Sequence, residues 1–295
     1  MAERRSVAAD VVGSNPTSRP KFPFTRSRSV ARILKSSALP VATASASGPA
    51  ASAFPSKMFA GTSGWAYATW KPGFYPEKLS AKKFLEFYAS QLTSVEVNYT
   101  FRALPTAKML EGWLAATPEN FRFSFKAPQR ITHFSRLREC TADLDQFAAI
   151  LKPVRQAGKL GLVIFQLPPN FKFDLRRLLE FLAELSLYDD VLPAFEFRHE
   201  SWFCEATYTI LRHYGVALCI AESDDLSTPE VHTARTVTCF RLRRNGGYKP
   251  AEIEALAAKL SALSKTRDVY AYFKHEDEPT GALNAVAFLA AAGSR

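Results

Sequence analysis

One alternation constrains this chain more than anything else in it. Eight short, apolar, β-rich runs recur in order, and most are followed by a stretch with helical periodicity. The runs are MFAGTSGW (58–65), SVEVNYTF (94–101), FRFSFKA (121–127), LGLVIFQL (160–167), LPAFEFR (192–198), VALCIAES (216–223), TVTCFRLR (236–243) and DVYAYFK (268–274). Helix boundaries are marked between them: Ser80 and Asp174 stand at N-cap positions and Gly215 at a C′ position. Strand and helix alternating through residues 58–295 predict α/β architecture, a (β/α)8 TIM-type barrel, as one domain. An open doubly wound sheet is the second choice. The segment DDLSTPEVHTAR (224–235) contains Pro229 and lacks helical period, so the helix between strands six and seven is expected to be reduced or missing.

Strand side chains alternate between two faces. In the fifth run Phe195 and Phe197 fall outward, toward the helices, and Glu196 and Arg198 inward. The same reading turns Glu96, Asn98 and Thr100 inward on the second strand, and Ser124 and Lys126 on the third. It adds Gln166 on the fourth, Arg241 and Arg243 on the seventh, and Tyr272 and Lys274 on the eighth. Polar groups thus gather at the C-terminal ends of several strands, where barrels of this type build active sites. One charged, wet pocket is the expectation. The alternative is that Glu196 with Arg198, or Glu96 with Lys126, are structural ion pairs plugging the barrel.

Composition narrows the classes. The net charge of +10 suggests a nucleic-acid partner until it is located. Residues 1–57 hold nine Lys and Arg against two acids, and the remainder holds 29 against 26. The barrel region is therefore nearly balanced. Residues 1–57 are rich in Ser, Ala, Pro and Arg and read as a disordered leader. Three origins stay open: a transit-like segment, a basic tail that touches nucleic acid, or a translated upstream region with Met58 as the natural start. The stretch GSNP (13–16), which the T-arm of a tRNA gene encodes in one frame, favours the third. Four scattered cysteines without a CxxC pair point to reduced thiols and a cytoplasmic setting. No apolar run is long enough for a bilayer, so no membrane association is expected.

The stretches GTSGWAYATWKPGFYP, VEVNYTF, FRFSFKAPQRITH, LGLVIFQLPPNF, FEFRHESWF, RLRRNGGY and YFKHEDEPTGALNA, in that order over residues 58 to 290, resemble the domain-of-unknown-function 72 family. The resemblance implies a TIM-type barrel, similar at the level of fold to endonuclease IV and xylose-isomerase-like enzymes. It implies no activity. At the end of the eighth strand this chain has FKHED where many members carry an FNN-type end.

Glu96 and Glu196 are the general acid/base candidates, because two carboxylates flanking one bond suit glycoside or ester chemistry. Arg241 and Arg243, with Lys126, Arg198 and Lys274, could clamp an anion beside the glycines of RNGGY, whereas Arg244 reads as a solvated loop arginine. Asn98, Gln166, His133, His199, His275 and Asp224 are placed as ligand-orienting groups. Trp65, Tyr67 and Trp202 are placed on an aromatic rim suited to a sugar or an unstacked base. Trp70 and Phe74 read as packing. The histidine spacing is not that of a metal site, and none is assigned. No cofactor signature is legible. The expected ligand is a small molecule or nucleic-acid fragment carrying phosphate, handled by hydrolase- or lyase-like chemistry. A non-catalytic nucleic-acid-binding protein is the alternative. No protein partner can be named.

Overall fold

A computed structural model describes residues 58–188, 191–223, 226–274 and 278–293. The expected leader and two expected site residues, Asp224 and His275, lie outside the described residues. Eight strands form one parallel sheet: β1 (Met58–Thr62), β2 (Ser94–Val97), β3 (Arg122–Lys126), β4 (Leu160–Gln166), β5 (Leu192–Glu196), β6 (Ala217–Glu222), β7 (Val237–Leu242) and β8 (Asp268–Phe273). Between them run α1 (Phe84–Gln91), α2 (Ala107–Ala115), α3 (Thr141–Gln156), α4 (Leu175–Leu185), α5 (Glu205–His213), α6 (Pro250–Leu263) and α7 (Thr280–Gly293). The result is a nearly closed TIM-type barrel. Among the described residues no helix separates β6 from β7. No described helix is long and apolar enough to cross a membrane.

The alternation of the strands explains both layers of the core. Outward-facing Phe123, Phe125, Phe165, Phe195, Phe240 and Phe273 are buried under the helices. Phe165 stacks on Phe195 at 5.1 Å, and Phe181 of α4 meets Phe165 edge-on at 5.3 Å. Each such ring contributes roughly 1.5–3 kcal/mol by leaving water. Inside the barrel, Phe59, Leu162, Ile164, Cys219, Cys239 and Tyr270 fill the axis. Above them the Tyr272 hydroxyl donates to Ser124 Oγ at 2.6 Å and lies 2.8 Å from Ser94 Oγ. Ser124 Oγ also accepts from the Leu162 N–H at 2.7 Å. Among the described residues these side chains fill the interior.

The hydrogen-bonded ladder runs from β1 through β8 and down to β2, and no rungs complete it between β1 and β2. Side chains, with one backbone bond just before β2, bridge that seam. The Tyr88 hydroxyl, reaching in from α1, accepts from the Thr62 N–H at 2.7 Å and donates to the Ser94 carbonyl at 3.0 Å. Thr93 Oγ1 accepts from the Ala60 N–H at 2.9 Å, and the Thr93 N–H donates to the Ala60 carbonyl at 3.2 Å. The backbones come so close that a Cβ on Gly61 would lie 1.8 Å from the Ser94 carbonyl oxygen, so the position demands glycine.

Several boundaries differ from the sequence reading. The second strand ends at Val97 and not at Phe101: Asn98 turns to φ −79°, ψ −16° and opens a 3₁₀ turn over Tyr99–Phe101. Thr100 is therefore not an inward strand residue; its hydroxyl donates to the Lys126 carbonyl at 2.7 Å, tying the turn to β3. The fifth strand ends at Glu196, leaving Arg198 on the following loop. Ser80 makes no side-chain cap, whereas Asp174 accepts from the Arg177 N–H at 3.1 Å. Gly215 adopts φ +67° just after α5, as its C′ assignment requires.

Candidate functional site

Arg241 is the centre of the C-terminal end of the barrel. It is an inward residue of β7, 1% exposed, and its guanidinium is met from three other strands. Glu96 of β2 takes it in a fork: Nη2 to Oε1 at 2.5 Å and Nε to Oε2 at 2.9 Å. Its Nη1 donates to Glu196 of β5 and, at 3.1 Å, to Gln166 Oε1 of β4. Ser63, just beyond β1, donates from Oγ to Glu96 Oε2 at 3.1 Å. Planar, two-pronged donation is what arginine supplies and lysine does not. The two carboxylates expected to flank a substrate bond instead flank Arg241.

The charges explain one another. Burial favours the neutral acid at Glu196, but Arg241, Arg198 and Arg243 outweigh it and bring its pKa down to about 2. Burial likewise opposes the charge on Arg241, and Glu196 and Glu96 overcome it, holding the proton more firmly than in ordinary arginine. Arg198 Nε donates to Glu196 Oε1 at 2.8 Å. Arg243 stands two residues beyond Arg241 on the same face. The charge of Arg241 and then burial lower its pKa to about 10, and among the described residues its buried Nη1 has no hydrogen-bond partner. Lys126 ends β3, its ammonium over the Phe101 ring at 4.0 Å from the centroid. Burial and then Arg241 lower that amine to about 8, against the opposing pull of Glu96 and Glu196. Two carboxylates therefore face four cations: Arg241, Arg198, Arg243 and Lys126.

Beside this cluster opens a cavity of about 320 Å³ lined by Glu196, Arg198, Ser223, Arg243, Asn245 and Lys274, among others. Lys274 Nζ donates to Asn245 Oδ1. Among the described residues Glu196 is the one acid in the lining, and Arg241 already holds it.

The other expected site residues divide into those near this cluster and those that build its walls. Asn98 donates from Nδ2 to the Ser63 carbonyl at 3.3 Å, and its buried Oδ1 has no partner. Tyr67 donates to the same carbonyl at 3.1 Å; burial and then the charge of Glu96 push its phenol up to about 12. His133 meets Phe101 edge-on at 4.8 Å, with Nδ1 2.9 Å from Thr132 Oγ1. Burial, Lys126, Arg198 and Arg136 all lower its pKa, favouring the neutral ring. His199 faces its own loop, where Nδ1 accepts from the Ser201 N–H at 3.2 Å.

Trp202 does not stand on a rim. It is fully buried, stacked on Phe197 at 4.6 Å, and its indole N–H donates to the Phe171 carbonyl at 2.6 Å. Trp65 is half-buried and packs edge-on against Trp113 at 5.2 Å. Trp70 and Phe74 are packing residues as expected. Arg244 is a loop arginine, 39% exposed as expected, and it also donates to Glu222 at 2.6 Å and to Glu252 at 2.5 Å. The strongly exposed aromatics near these turns are Tyr99 and Phe134, 47% and 72% exposed. Sequence reasoning missed them, and it missed Ser63 and Asn245. The only signals for the last two were their positions, just past β1 in GTSGW and in the RNGGY turn past β7.

Comparison with known proteins fits this architecture. UPF0759 protein YunF of Bacillus subtilis is 29% identical over 190 residues, which cover 61% of this chain and 66% of that protein. UPF0759 protein YecE of Escherichia coli K12 is 32% identical over 152 residues, covering 51% of this chain and 54% of that one. The chain thus spans about half to two-thirds of the length of these relatives. The crystal structure of a DUF72 family protein from Thermotoga maritima superimposes with a TM-score of 0.70 at 28% identity, over 79% of this chain and 98% of that one. The family described as "Protein of unknown function DUF72" matches residues 59–295, and the chain belongs to that family.

Proposed function

We propose that the mouth of this barrel binds a small ligand carrying phosphate, such as a nucleotide, a nucleic-acid fragment or a sugar phosphate, and acts on it by hydrolase- or lyase-like proton transfer. The observation that carries the reading is Arg243. Its guanidinium lines the cavity, and one buried nitrogen lacks an acceptor in a cluster already rich in positive charge. A bound oxyanion would supply that acceptor and relieve the repulsion between Arg243 and Arg241. Arg198 and Lys274 would complete the clamp. Glu96 and Glu196 serve by fixing Arg241, and a carboxyl near pKa 2 is a poor proton donor at neutral pH. Proton transfer falls to Lys126 and His133, whose pKa values are both lowered. Four free thiols support a reducing, cytoplasmic compartment.

Calorimetry with inorganic phosphate and a panel of phosphate monoesters at low salt tests the reading. Arg243→Gln should weaken binding at least tenfold with the fold intact. No anion binding by the wild-type chain would sink the proposal. The competing reading, a non-catalytic nucleic-acid binder, draws on the exposed rings of Tyr99 and Phe134. It predicts a strand affinity that falls steeply with salt and no turnover of any ester in the panel.

A further inference from the structure

Two lysines of the barrel are withdrawn from water, one wholly and one in part, and they are treated differently. Lys159, just before β4, is only 7% exposed, and its amine is satisfied by the carbonyls of Leu114 and Thr117 and by Thr117 Oγ1, at 2.9, 2.6 and 3.1 Å. That is a structural lysine. Lys126 sits at the opposite end of the barrel, where the strands open into the cavity region. Among the described residues no acceptor or carboxylate bonds its Nζ, and its contact is the face of Phe101. The charges that face it from other elements are Arg241 of β7, Glu96 of β2, Glu196 of β5 and Arg198 beyond β5. The two carboxylates are both committed to arginines. His133, on the turn after β3, packs on the same Phe101 ring.

An amine that has no protein acceptor and neighbours fixed cations gives up its proton more readily than an ordinary lysine, against the pull of the Phe101 face toward the charged form, and the deprotonated amine is a nucleophile. We propose that Lys126 forms an imine with the carbonyl carbon of a phosphate-bearing aldehyde or ketone. This deepens the anion-site reading and rests on it: the Arg198, Arg243 and Lys274 side holds the phosphate while the carbonyl reaches β3. The neutral amine nitrogen attacks the carbonyl carbon and gives a carbinolamine. The carbonyl oxygen then leaves as water with the two protons the amine carried, and a C=N bond to Nζ remains. No oxidant or reductant is consumed. His133, which shares the Phe101 ring with Lys126, would shuttle the protons. An imine of this kind withdraws electrons from the adjacent carbon, so it narrows the reaction from hydrolase-like to lyase-like.

The test uses the full chain and pyridoxal 5′-phosphate, a phosphate-bearing aldehyde, with borohydride reduction of any imine and peptide mapping by mass spectrometry. The expected result is one dominant adduct, on Lys126. Its rate should rise with pH through about 8 as the ammonium loses its proton. Pyridoxal without the phosphate should label at least tenfold more slowly, and inorganic phosphate should protect. Lys126→Arg should abolish the adduct. The wild-type peptide map decides alone if that variant folds poorly. Labelling spread over exposed lysines such as Lys78, Lys82 and Lys152, with Lys126 no faster than they are, overturns the imine. If phosphate still binds by calorimetry in that case, the anion site stands and only the imine falls. If phosphate does not bind either, both fall.

Discussion

Arg241 is a buried cation and Lys126 a half-buried one, and they should respond oppositely to removal. Arg241→Met leaves Glu96 without its two-pronged partner and Glu196 with Arg198 alone. Breaking a buried pair in this way costs about 3–5 kcal/mol, so urea denaturation should show a large loss of stability or an unfolded chain. Lys126→Met should have the reverse sign. The amine titrates near 8 in the folded chain against an ordinary 10.5, so its charge is a cost that is fully present below pH 8. Between those values the unfolded chain binds more protons, and stability rises with pH. The variant should therefore be more stable at pH 7 by about 1–2 kcal/mol, allowing for partial solvent screening. That gain should shrink as pH climbs from 8 to 10.5, as equal denaturation midpoints at high pH would show. A variant that is less stable at pH 7 would mean that the contact with Phe101 outweighs the burial of charge.

Among the elements, the seam between β1 and β2 is the weakest part of the ring, and Tyr88 is its main bridge. Tyr88→Phe leaves the Thr62 N–H and the Ser94 carbonyl unpaired in a buried place, a loss of about 1–3 kcal/mol. Amide hydrogen exchange should report it locally, with faster exchange at Thr62 and little change along the β6–β7 ladder. Exchange that stays uniform would mean that the seam is not a separate cooperative unit. The strands themselves were legible because alternation is local: which residues of β4, β5 and β7 face inward follows from counting by two. Their ends were less so. SVEVNYTF keeps its apolar, β-rich character to Phe101, yet Asn98 bends the chain, and nothing in the run marks that bend. Trp202 was misplaced for a related reason. A rim tryptophan and a buried one look alike in sequence, and the Phe171 carbonyl that satisfies its indole lies 31 residues away.

At the scale of the molecule, the sequence shows that Glu96, Gln166, Glu196 and Arg241 share one interior, but not who pairs with whom. Arg241 and Glu96 are 145 residues apart, and their contact exists only because the sheet curls until β2 and β7 face across the axis. The expected pairs, Glu96 with Lys126 and Glu196 with Arg198, were the near neighbours; the decisive partner came from the far side. The cluster also sets how the whole fold meets acid. Glu196 titrates near 2 when folded against an ordinary 4.5, so the stability it confers is complete above about pH 4.5 and drains away as pH falls toward 2. Denaturation midpoints taken from pH 6 to pH 2 should fall steeply over that window in the wild type and less so in Glu196→Gln. Equal slopes would assign acid lability to other carboxylates.

The filled axis beneath Arg241 has a consequence for traffic. With tyrosines and aliphatic side chains packed below it and four strands knotted through one guanidinium, the barrel has a single door. Any compound that enters the mouth must leave by the way it came, and two compounds cannot queue from opposite sides. Two ligands of the mouth therefore exclude one another, and each should displace the other competitively.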